Sequence, residues 1–419
     1  MSRQASRLLA PAVLILALLG ARLAAAPALT DPVLGTPPPS IHLSIPPIYL
    51  LLAPMFTVWD GISMLSMSRL RGFLQGLVGL YFLWRLGCWW LNRSLGRLSV
   101  NPTTWFTEAR VLVLVTVAFF LFVAVGALWH RPMLSLSTVP SGITVVDFHS
   151  HTNLSHDVRG TLMQGFDAEA NRRWHRRAGF DAAFLTDHNV LPSPPIYPPG
   201  HPVLCPGIEV SAWRAHIVLL GDTLPVSTKQ YGKGLEGLLA LLRSSDSTYG
   251  SLSVASLPEY RRNHWERLDQ LIAAGLDGLE IVNASPAANE LSRTDRDSVI
   301  ALARAHNRFV VGVSDSHGWG ATSMVWNLVA VPPGTTDLCT SVLGQLRLGF
   351  PAVRIVERHR LRGDDPWPMW LTPVGVLWET WRGMSWPLTF SWIGWTLLWM
   401  WWRVRSRALA KPKLKDQDS

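Results

Sequence analysis

The chain has 419 residues, of which 48% are hydrophobic and 16% are charged, with 21 tryptophans and a formal net charge of +9. Its mean hydropathy of +0.19 excludes an ordinary cytosolic enzyme and indicates a membrane protein. The positive charge does not indicate nucleic-acid binding, because the arginines lie mostly beside apolar segments, where they orient membrane helices.

The first 140 residues are predicted to form a leader and a membrane region. Residues 1–28 carry arginines ahead of an apolar run, which is typical of a signal peptide or a short anchor helix. Within the membrane region 29–140, a proline-rich linker comes first, and helices are predicted near 48–67 and 111–129. Asp60 is costly in lipid, so we expect it to lie near the headgroups or to face another helix, with a functional role as the alternative.

The segment 73–91 decides the topology. Its apolar run is interrupted by Arg85, and residues 68–110 contain six arginines against one glutamate, as in a cytoplasmic loop. We therefore expect 73–91 to be interfacial or re-entrant, so that the next helix leads outward. At the other end, the Trp-rich segment 363–402 closes with a predicted transmembrane helix over 386–402, and the basic tail 403–419 would stay in the cytoplasm. The topology predicted at both ends of the chain places the intervening domain outside the cytoplasm. If 73–91 spans the membrane, that domain lies on the cytoplasmic face instead.

Between 141 and 362, short apolar runs predict strands that alternate with helices. The strand 143–148 leads into DFHSHTNLSHD, where His149 and His151 project from one face. Asp157 follows turn-forming residues that let the chain fold back. Strands at 182–185, 203–210, 215–220, 278–282 and 309–313 bring further candidates to strand ends, namely His188, Glu209, His216, Glu280, Asp315 and His317.

This pattern predicts a metal centre. Strand ends in a β/α fold face one rim, and such folds place their sites at that rim. Imidazole and carboxylate groups without thiolates favour Zn, Mn or Fe. The three cysteines are far apart and form no CxxC pair, which excludes a zinc ribbon and allows at most one disulfide.

The motifs DFHSH, TDHN, PGIEVS, AHIVLLG, GLEIVN and VSDSHG resemble those of the PHP (polymerase and histidinol phosphatase) family of metal-dependent phosphoesterases over residues 141–362. The pairing of PGIEVS with AHIVLLG is similar to the branch that includes carbamate-hydrolysing members. The resemblance implies an α/β fold, a distorted seven-stranded β/α barrel, here flanked by transmembrane α-helices. It also implies two or three divalent metal ions (Zn, Mn or Fe). By position, His149, His151, Glu209 and Asp315 would hold the first ion, Glu209 and His216 the second, and Asp157, His188 and His317 the third.

These ligands predict hydrolysis by a metal-bound hydroxide, because a bound divalent ion lowers the pKa of water toward about 7. Asp315 or His188 would move the proton. Asp147 and Glu280 are expected behind the ligands, where they orient imidazoles. Arg261 and Arg262 are candidates for contacting a phosphate, with exposed helix-start arginines as the alternative.

One motif departs from the family pattern. A His-Pro pair is expected at the end of a further strand, where this chain has Ser256 and Leu257 before Pro258, and His264 or Glu259 are the candidate replacements. Three hypotheses follow: a membrane-anchored phosphoesterase acting on a phosphomonoester or phosphodiester; a carbamate or amide metallohydrolase; or a noncatalytic domain that binds metal or a phosphorylated ligand. The expected partners are the lipid bilayer and a phosphorylated small-molecule or lipid-linked substrate, and no nucleic acid.

Overall fold

A computed structural model describes residues 5–94, 102–191, 197–221, 228–231 and 233–409. The described residues form a mixed α/β structure in which one large sheet is surrounded by helices. The strands are β1 (Leu29–Thr30), β2 (His42–Ser44), β3 (Ser135–Ser137), β4 (Ile143–Ser150), β5 (Ala182–Leu185), β6 (Val203–Ala212), β7 (Ala215–Leu220), β8 (Leu252–Ala255), β9 (Gly278–Asn283), β10 (Phe309–Val313), β11 (Val325–Ala330) and β12 (Val353–Arg358). The helices are α1 (Ala5–Leu23), α2 (Pro47–Leu51), α3 (Ala53–Ser63), α4 (Met67–Ser94), α5 (Pro102–Leu128), α6 (His156–Arg159), α7 (Ala168–Ala178), α8 (Thr228–Tyr231), α9 (Gly234–Tyr249), α10 (Glu259–Asn263), α11 (Leu268–Ala273), α12 (Arg293–Ala305), α13 (Leu338–Leu346), α14 (Thr372–Gly383) and α15 (Trp386–Leu409).

The large sheet has ten strands in the order β1-β12-β11-β4-β5-β6-β7-β8-β9-β10. Pairing is parallel between β4, β5 and β6 and between β8, β9 and β10, and antiparallel around β7 and around β11 and β12. Every residue of the central strands β5, β8, β9 and β10 is buried, and β5 and β10 are continuous apolar runs, as is typical of strands buried on both faces.

The sheet curls into a half-barrel, and one buried side chain links its last strand, β10, to β4 in the middle of the sheet. The Asn327 side chain accepts from the Gly312 amide (2.9 Å) and donates to the Val146 carbonyl (2.9 Å), which ties β10 to β4. A Cβ at Gly312 would lie 2.3 Å from Val325, so this close approach requires glycine. The seven strands expected from the resemblance are thus part of a sheet of ten, because β1, β11 and β12 extend it beyond β4.

Helices on either side of the sheet end where the sequence provides stop and start signals. The Asp167 side chain accepts from the Ala170 amide at the start of α7, and Gly179, at φ 80°, ends that helix. The Ser292 side chain caps α12 in the same way. These caps fix α7 and α12 against the strands that carry the polar residues described below.

The N-terminal helices pack directly on the sheet domain. Asp60 of α3 is buried and accepts hydrogen bonds from Tyr49 (2.7 Å), Thr322 (2.8 Å) and Arg358 (2.9 Å). Arg131 lies 3.5 Å from the same carboxylate. Asp60 therefore faces another helix, as one reading of the sequence predicted, and it also joins that helix to the sheet domain.

Two of the predicted membrane segments have different bounds in the structure. The segment 48–67 contains two short helices, α2 and α3, that break at Leu52, and their buried residues pack on α14 and α15. The segment 73–91 lies inside the single helix α4, with no re-entrant turn. The predicted helix 386–402 lies within α15, and most of the basic tail 403–419 lies outside the described residues.

Helices α4 and α5 form an antiparallel hairpin. Arg85 pairs with Glu108 (2.6 Å), and the rings of Phe73 and Phe119 lie 6.2 Å apart. Among the described residues, one helical stretch is both long and apolar enough to cross a membrane, Phe106–Leu128 in α5. Most of its side chains are exposed.

A disulfide joins Cys205 of β6 to Cys339 of α13 across 134 residues of sequence. Cys88 of α4 is a free thiol. The disulfide attaches α13 to the middle of the sheet.

Candidate metal centre

Polar side chains converge where the strands end. His149 and His151 leave the end of β4, His188 follows β5, and Asp315 and His317 follow β10. Because β7 runs antiparallel to β6, His216 at the start of β7 lies at the same rim as Glu209 late in β6. The structure brings together eight predicted ligands in three groups: His149, His151 and Asp315; His188, Glu209 and His216; and His151, Asp157, His188 and His317.

In the first group, two imidazoles face each other. The Nε2 atoms of His149 and His151 are 3.0 Å apart, and Asp315 Oδ1 lies 3.2 Å from His151 Nε2 and 3.6 Å from His149 Nε2. Glu209 Oε2 lies 3.1 Å from His149 Nε2. Two facing ring nitrogens between two carboxylates make a favourable donor set for a divalent cation.

Glu209 connects the first group to the second. Its Oε1 atom lies 3.1 Å from His216 Nδ1, and its Oε2 atom lies 3.2 Å from His188 Nδ1. Glu259 extends this group, because its Oε2 atom lies 3.8 Å from His216 Nδ1 and is buried without a hydrogen-bond partner. The carboxylate of Glu209 therefore contacts imidazoles of both groups, and its role as a bridge between two ions stays a prediction.

The third group surrounds the Asp157 carboxylate. Asp157 Oδ2 lies 2.8 Å from His317 Nε2 and 3.2 Å from His188 Nε2. Ser155 donates to the other oxygen of Asp157 (2.6 Å). The two ring nitrogens of His188 thus face different groups, so this residue connects the second group to the third.

The charges of the site are strongly coupled. Burial opposes ionisation of Glu209, but the surrounding imidazoles, His149 above all, hold its pKa well below the usual range. Burial lowers the pKa of His151 to about 4, and the neighbouring His317 adds to this effect. For His317, burial is outweighed by the carboxylates of Asp315 and Asp157, which raise its pKa to about 9. The site therefore combines ionised carboxylates with at least one imidazole, that of His151, in its neutral, ligating form.

Asp315 has an unusual backbone conformation. Its φ of 45° lies in the left-handed region, which costs a residue other than glycine about 1–2 kcal/mol. The Asp315 amide donates to the His149 carbonyl (2.9 Å), so the bend after β10 is fixed against the end of β4. Such strain is typical of functional sites.

Glu280 supports a ligand directly. Its Oε1 atom accepts from His149 Nδ1 (2.7 Å), which leaves Nε2 of that ring free to face the other ligands. The second oxygen of Glu280 accepts from the Leu257 amide (2.8 Å) and from Asn283 (2.9 Å). Glu280 therefore contacts the imidazole of a candidate ligand, and its orienting role stays a prediction.

Three other candidates have different contacts. Asp147 accepts from His175 (2.8 Å) and from Ser314, so it orients the chain beside Asp315 and does not contact a ligand imidazole. Arg261 pairs with Asp295 (2.8 Å), and Arg262 donates to the Ala287 carbonyl (3.1 Å). Both arginines therefore have protein partners, and their contact with a phosphate stays a prediction.

The two candidate replacements for the absent histidine differ in their surroundings. His264 Nε2 contacts the Trp213 carbonyl (3.1 Å), which gives that nitrogen a structural partner, whereas Nδ1 of the same ring is buried without one. Glu259, at the start of α10, faces His216 and has an unpartnered buried oxygen. The Ser256 hydroxyl, at the position of the absent histidine, makes a long contact of 3.4 Å with Glu280. Glu259 is thus the candidate that the fold places at the site.

Several supporting residues carried no signal in the sequence. His175 and Asn171 are buried on α7, where Asn171 donates to the His151 carbonyl (2.9 Å). Ser155 also contacts the His188 amide (3.3 Å). Their spacing from the ligands follows no motif, because their positions depend on how α6 and α7 pack on the sheet.

The chain resembles several solved structures at low sequence identity. No protein-family model matches the sequence, and no curated protein matches it. Among solved structures, PsfC from Pseudomonas syringae shares 16% identity over 56% of this chain and 96% of its own, with a TM-score of 0.35. A proposed metal-dependent phosphoesterase from Bifidobacterium adolescentis shares 17% identity over 42% of this chain and 88% of its own, with a TM-score of 0.30. An amidohydrolase from Chromobacterium violaceum, crystallised with sulfate and no metal, shares 16% identity over 52% of this chain and 98% of its own, with a TM-score of 0.27. These similarities are low, so the functional assignment rests on the geometry of the site.

Proposed function

We propose that this protein is a metal-dependent phosphoesterase of the PHP type that hydrolyses a phosphomonoester or a phosphodiester. The observation that carries the proposal is the convergence of three donor groups, which share His151 and His188 and are linked through Glu209. Adjacent groups of this kind fit two or three divalent ions, Zn, Mn or Fe, and clusters of such ions are suited to phosphoester cleavage.

The roles of the residues follow from their contacts. When bound, the ions supply Lewis acidity and make a water a nucleophile near neutral pH. Glu280 holds His149 in one tautomer and so aims its Nε2 atom at the centre. His317 lies 2.8 Å from Asp157 and is partly exposed, so together with Asp157 it would hold an ion at the open side of the site. Asp315 and His188 remain the candidates for acid–base catalysis, because both lie within these groups.

We also propose that the protein is anchored in a membrane with the metal centre outside the cytoplasm. The apolar, exposed stretch Phe106–Leu128 supports the anchor. The disulfide between Cys205 and Cys339 supports the location, because disulfides persist mainly in oxidising compartments.

The test uses the full chain, purified in lipid nanodiscs and compared with Asp315→Asn. Asparagine tolerates the left-handed backbone at this position but carries no charge. We expect two or more ions per wild-type chain by elemental analysis, turnover of bis(4-nitrophenyl) phosphate or 4-nitrophenyl phosphate, and loss of at least one ion and of turnover in the variant. The matched control is Asp297→Asn, which changes an exposed carboxylate of α12.

Other outcomes would replace the proposal. Turnover of 4-nitrophenyl dimethylcarbamate without turnover of either phosphate ester would make the protein a carbamate hydrolase. Bound metal without turnover of any of these esters would favour a noncatalytic binding domain.

A further inference from the structure

A cavity of about 450 Å³ extends from the metal centre to the helical hairpin of α4 and α5. Asp315 and His317 line one end of it, and Val123 of α5 lines another part. The volume lies within the range of roughly 300–1,000 Å³ that is common for small-molecule sites. One space therefore connects two candidate metal ligands with the helix that is apolar enough to cross a membrane.

The walls of this cavity are mainly apolar. Helices α3 and α4 and the turn between them contribute Ile62, Leu65 and Leu70, and the sheet domain contributes Met163 and Met324. Three of the hydroxyl groups on the walls have protein partners: Thr322 donates to Asp60, Ser314 donates to Asp147, and Ser63 accepts from Arg131 (3.3 Å). Away from the metal ligands, the cavity is therefore suited to a hydrocarbon group.

The walls are held in place by hydrogen bonds between the helices and the sheet domain. The Met67 amide donates to the Pro286 carbonyl (2.7 Å), and Asn289 donates to the Met64 carbonyl (2.7 Å). On the other side, Arg131 contacts the Gly126 carbonyl of α5 (2.7 Å) and the Gly320 carbonyl (3.4 Å). The cavity is therefore built from both parts of the molecule.

The position of Val123 indicates where an apolar group enters. This residue is half-buried at the cavity, whereas Leu121 and Val125 on the same helix are exposed. The surface around Leu121 and Val125 is the one that hydrocarbon would contact if α5 spans a membrane. The cavity thus lies next to that surface.

We propose that the substrate is an amphiphile whose phosphoester group lies at the metal centre and whose apolar chain occupies this cavity. The proposal rests on the function proposed above and names its substrate class. It predicts that the length of the apolar chain controls binding, because each buried methylene group strengthens it.

The first experiment measures binding without catalysis. An alkyl phosphate with a terminal diazirine is photo-crosslinked to the full chain in nanodiscs, and the labelled residues are identified by mass spectrometry. We expect labels on wall residues such as Leu65 and Met163, reduced by competition with dodecyl phosphate but not with methyl phosphate. Labels confined to the exposed faces of α4 and α5 would overturn the proposal.

The second experiment compares methyl 4-nitrophenyl phosphate with dodecyl 4-nitrophenyl phosphate, which share the scissile bond. We expect kcat/KM to be at least about ten-fold higher for the dodecyl ester. Val123→Trp, which fills the cavity, should remove this preference without changing the metal content. Val117→Trp, an exposed position on the same helix, should keep the preference.

The outcomes separate the two proposals. Equal kcat/KM for both esters, together with no label in the cavity, would refute the amphiphilic substrate and leave the phosphoesterase in place. Labels in the cavity without turnover of either diester or of the monoester 4-nitrophenyl phosphate would support a bound chain and refute the phosphoesterase.

Discussion

At the scale of single residues, each carboxylate of the candidate metal centre faces more than one imidazole. Glu209 contacts His149, His188 and His216, and Asp157 contacts His188 and His317. Shared ligands of this kind couple the three groups. We therefore expect a change at one group to alter metal binding at its neighbours.

Glu259 offers the most specific test of the second group. Its unpartnered Oε2 atom lies 3.8 Å from His216, and burial raises the pKa of its carboxyl group. We expect Glu259→Gln to weaken metal binding at this group by about 10-fold or more, because it removes a charge beside the ion. Competition with a chelator, followed by elemental analysis, measures the loss. The control is Glu266→Gln, an exposed position nearby, and unchanged affinity in Glu259→Gln would exclude Glu259 from the site.

The charge on His317 predicts how metal binding depends on pH. In the metal-free protein, Asp315 and Asp157 raise the pKa of this imidazole to about 9, so a bound cation must displace its proton at lower pH. The apparent affinity should therefore rise with pH and flatten above about 9. Calorimetry in buffers of different ionisation enthalpy counts the released protons. His317→Gln should release fewer protons; an equal number in both proteins would contradict this assignment.

At the scale of elements, the fit between α3 and α5 depends on Gly126. A Cβ at this position would lie 2.5 Å from the Trp59 indole, whose N–H donates to the Phe122 carbonyl (2.8 Å). We expect Gly126→Ala to lower the melting temperature, because the buried indole must move. Gly79→Ala on α4 meets no neighbouring atom, so it should be neutral or stabilising, as alanine favours helix more than glycine does. Fluorescence-detected thermal unfolding compares the two variants, and equal melting temperatures would contradict the predicted contact.

The sequence predicted the strands better than it predicted the N-terminal helices. Continuous apolar runs such as 182–185 and 309–313 form strands because both of their faces are buried. The segment 48–67 has the composition of a spanning helix, but hydropathy does not show that Asp60 has buried partners in the sheet domain. The partners of Asp147, Arg261 and Arg262 could not be predicted either, because they come from elements distant in sequence.

The candidate ligands were accessible from sequence for a different reason. Parallel strands place their carboxyl ends at one rim, so residues such as His149, His188 and Asp315 meet whatever their separation along the chain. The packing of α7 and α10 is not determined by that rule. For this reason, the roles of Asn171 and Glu259 required the structure.

At the scale of the whole molecule, the disulfide connects positions that are 134 residues apart. A cross-link that closes so long a loop contributes about 3–5 kcal/mol, chiefly by restricting the unfolded chain. We expect Cys339→Ala to lower the melting temperature and to abolish the effect of reductant on it. Cys88→Ala removes only a free thiol and should leave both unchanged. A reductant effect that persists in Cys339→Ala would contradict the disulfide.

The contacts of Asp60 have a consequence for the biosynthesis of the protein. This carboxylate bonds to Arg358, 298 positions later in the chain, and strand β1 pairs with β12 in the same region. A ribosome would therefore have to translate 298 further codons after that of Asp60 before these partners can meet. Until then, Asp60 lacks the guanidinium of Arg358, and the edge of β11 lacks β12. The helices and the sheet domain must therefore complete their folding together and late, as is typical of folds dominated by contacts between distant segments.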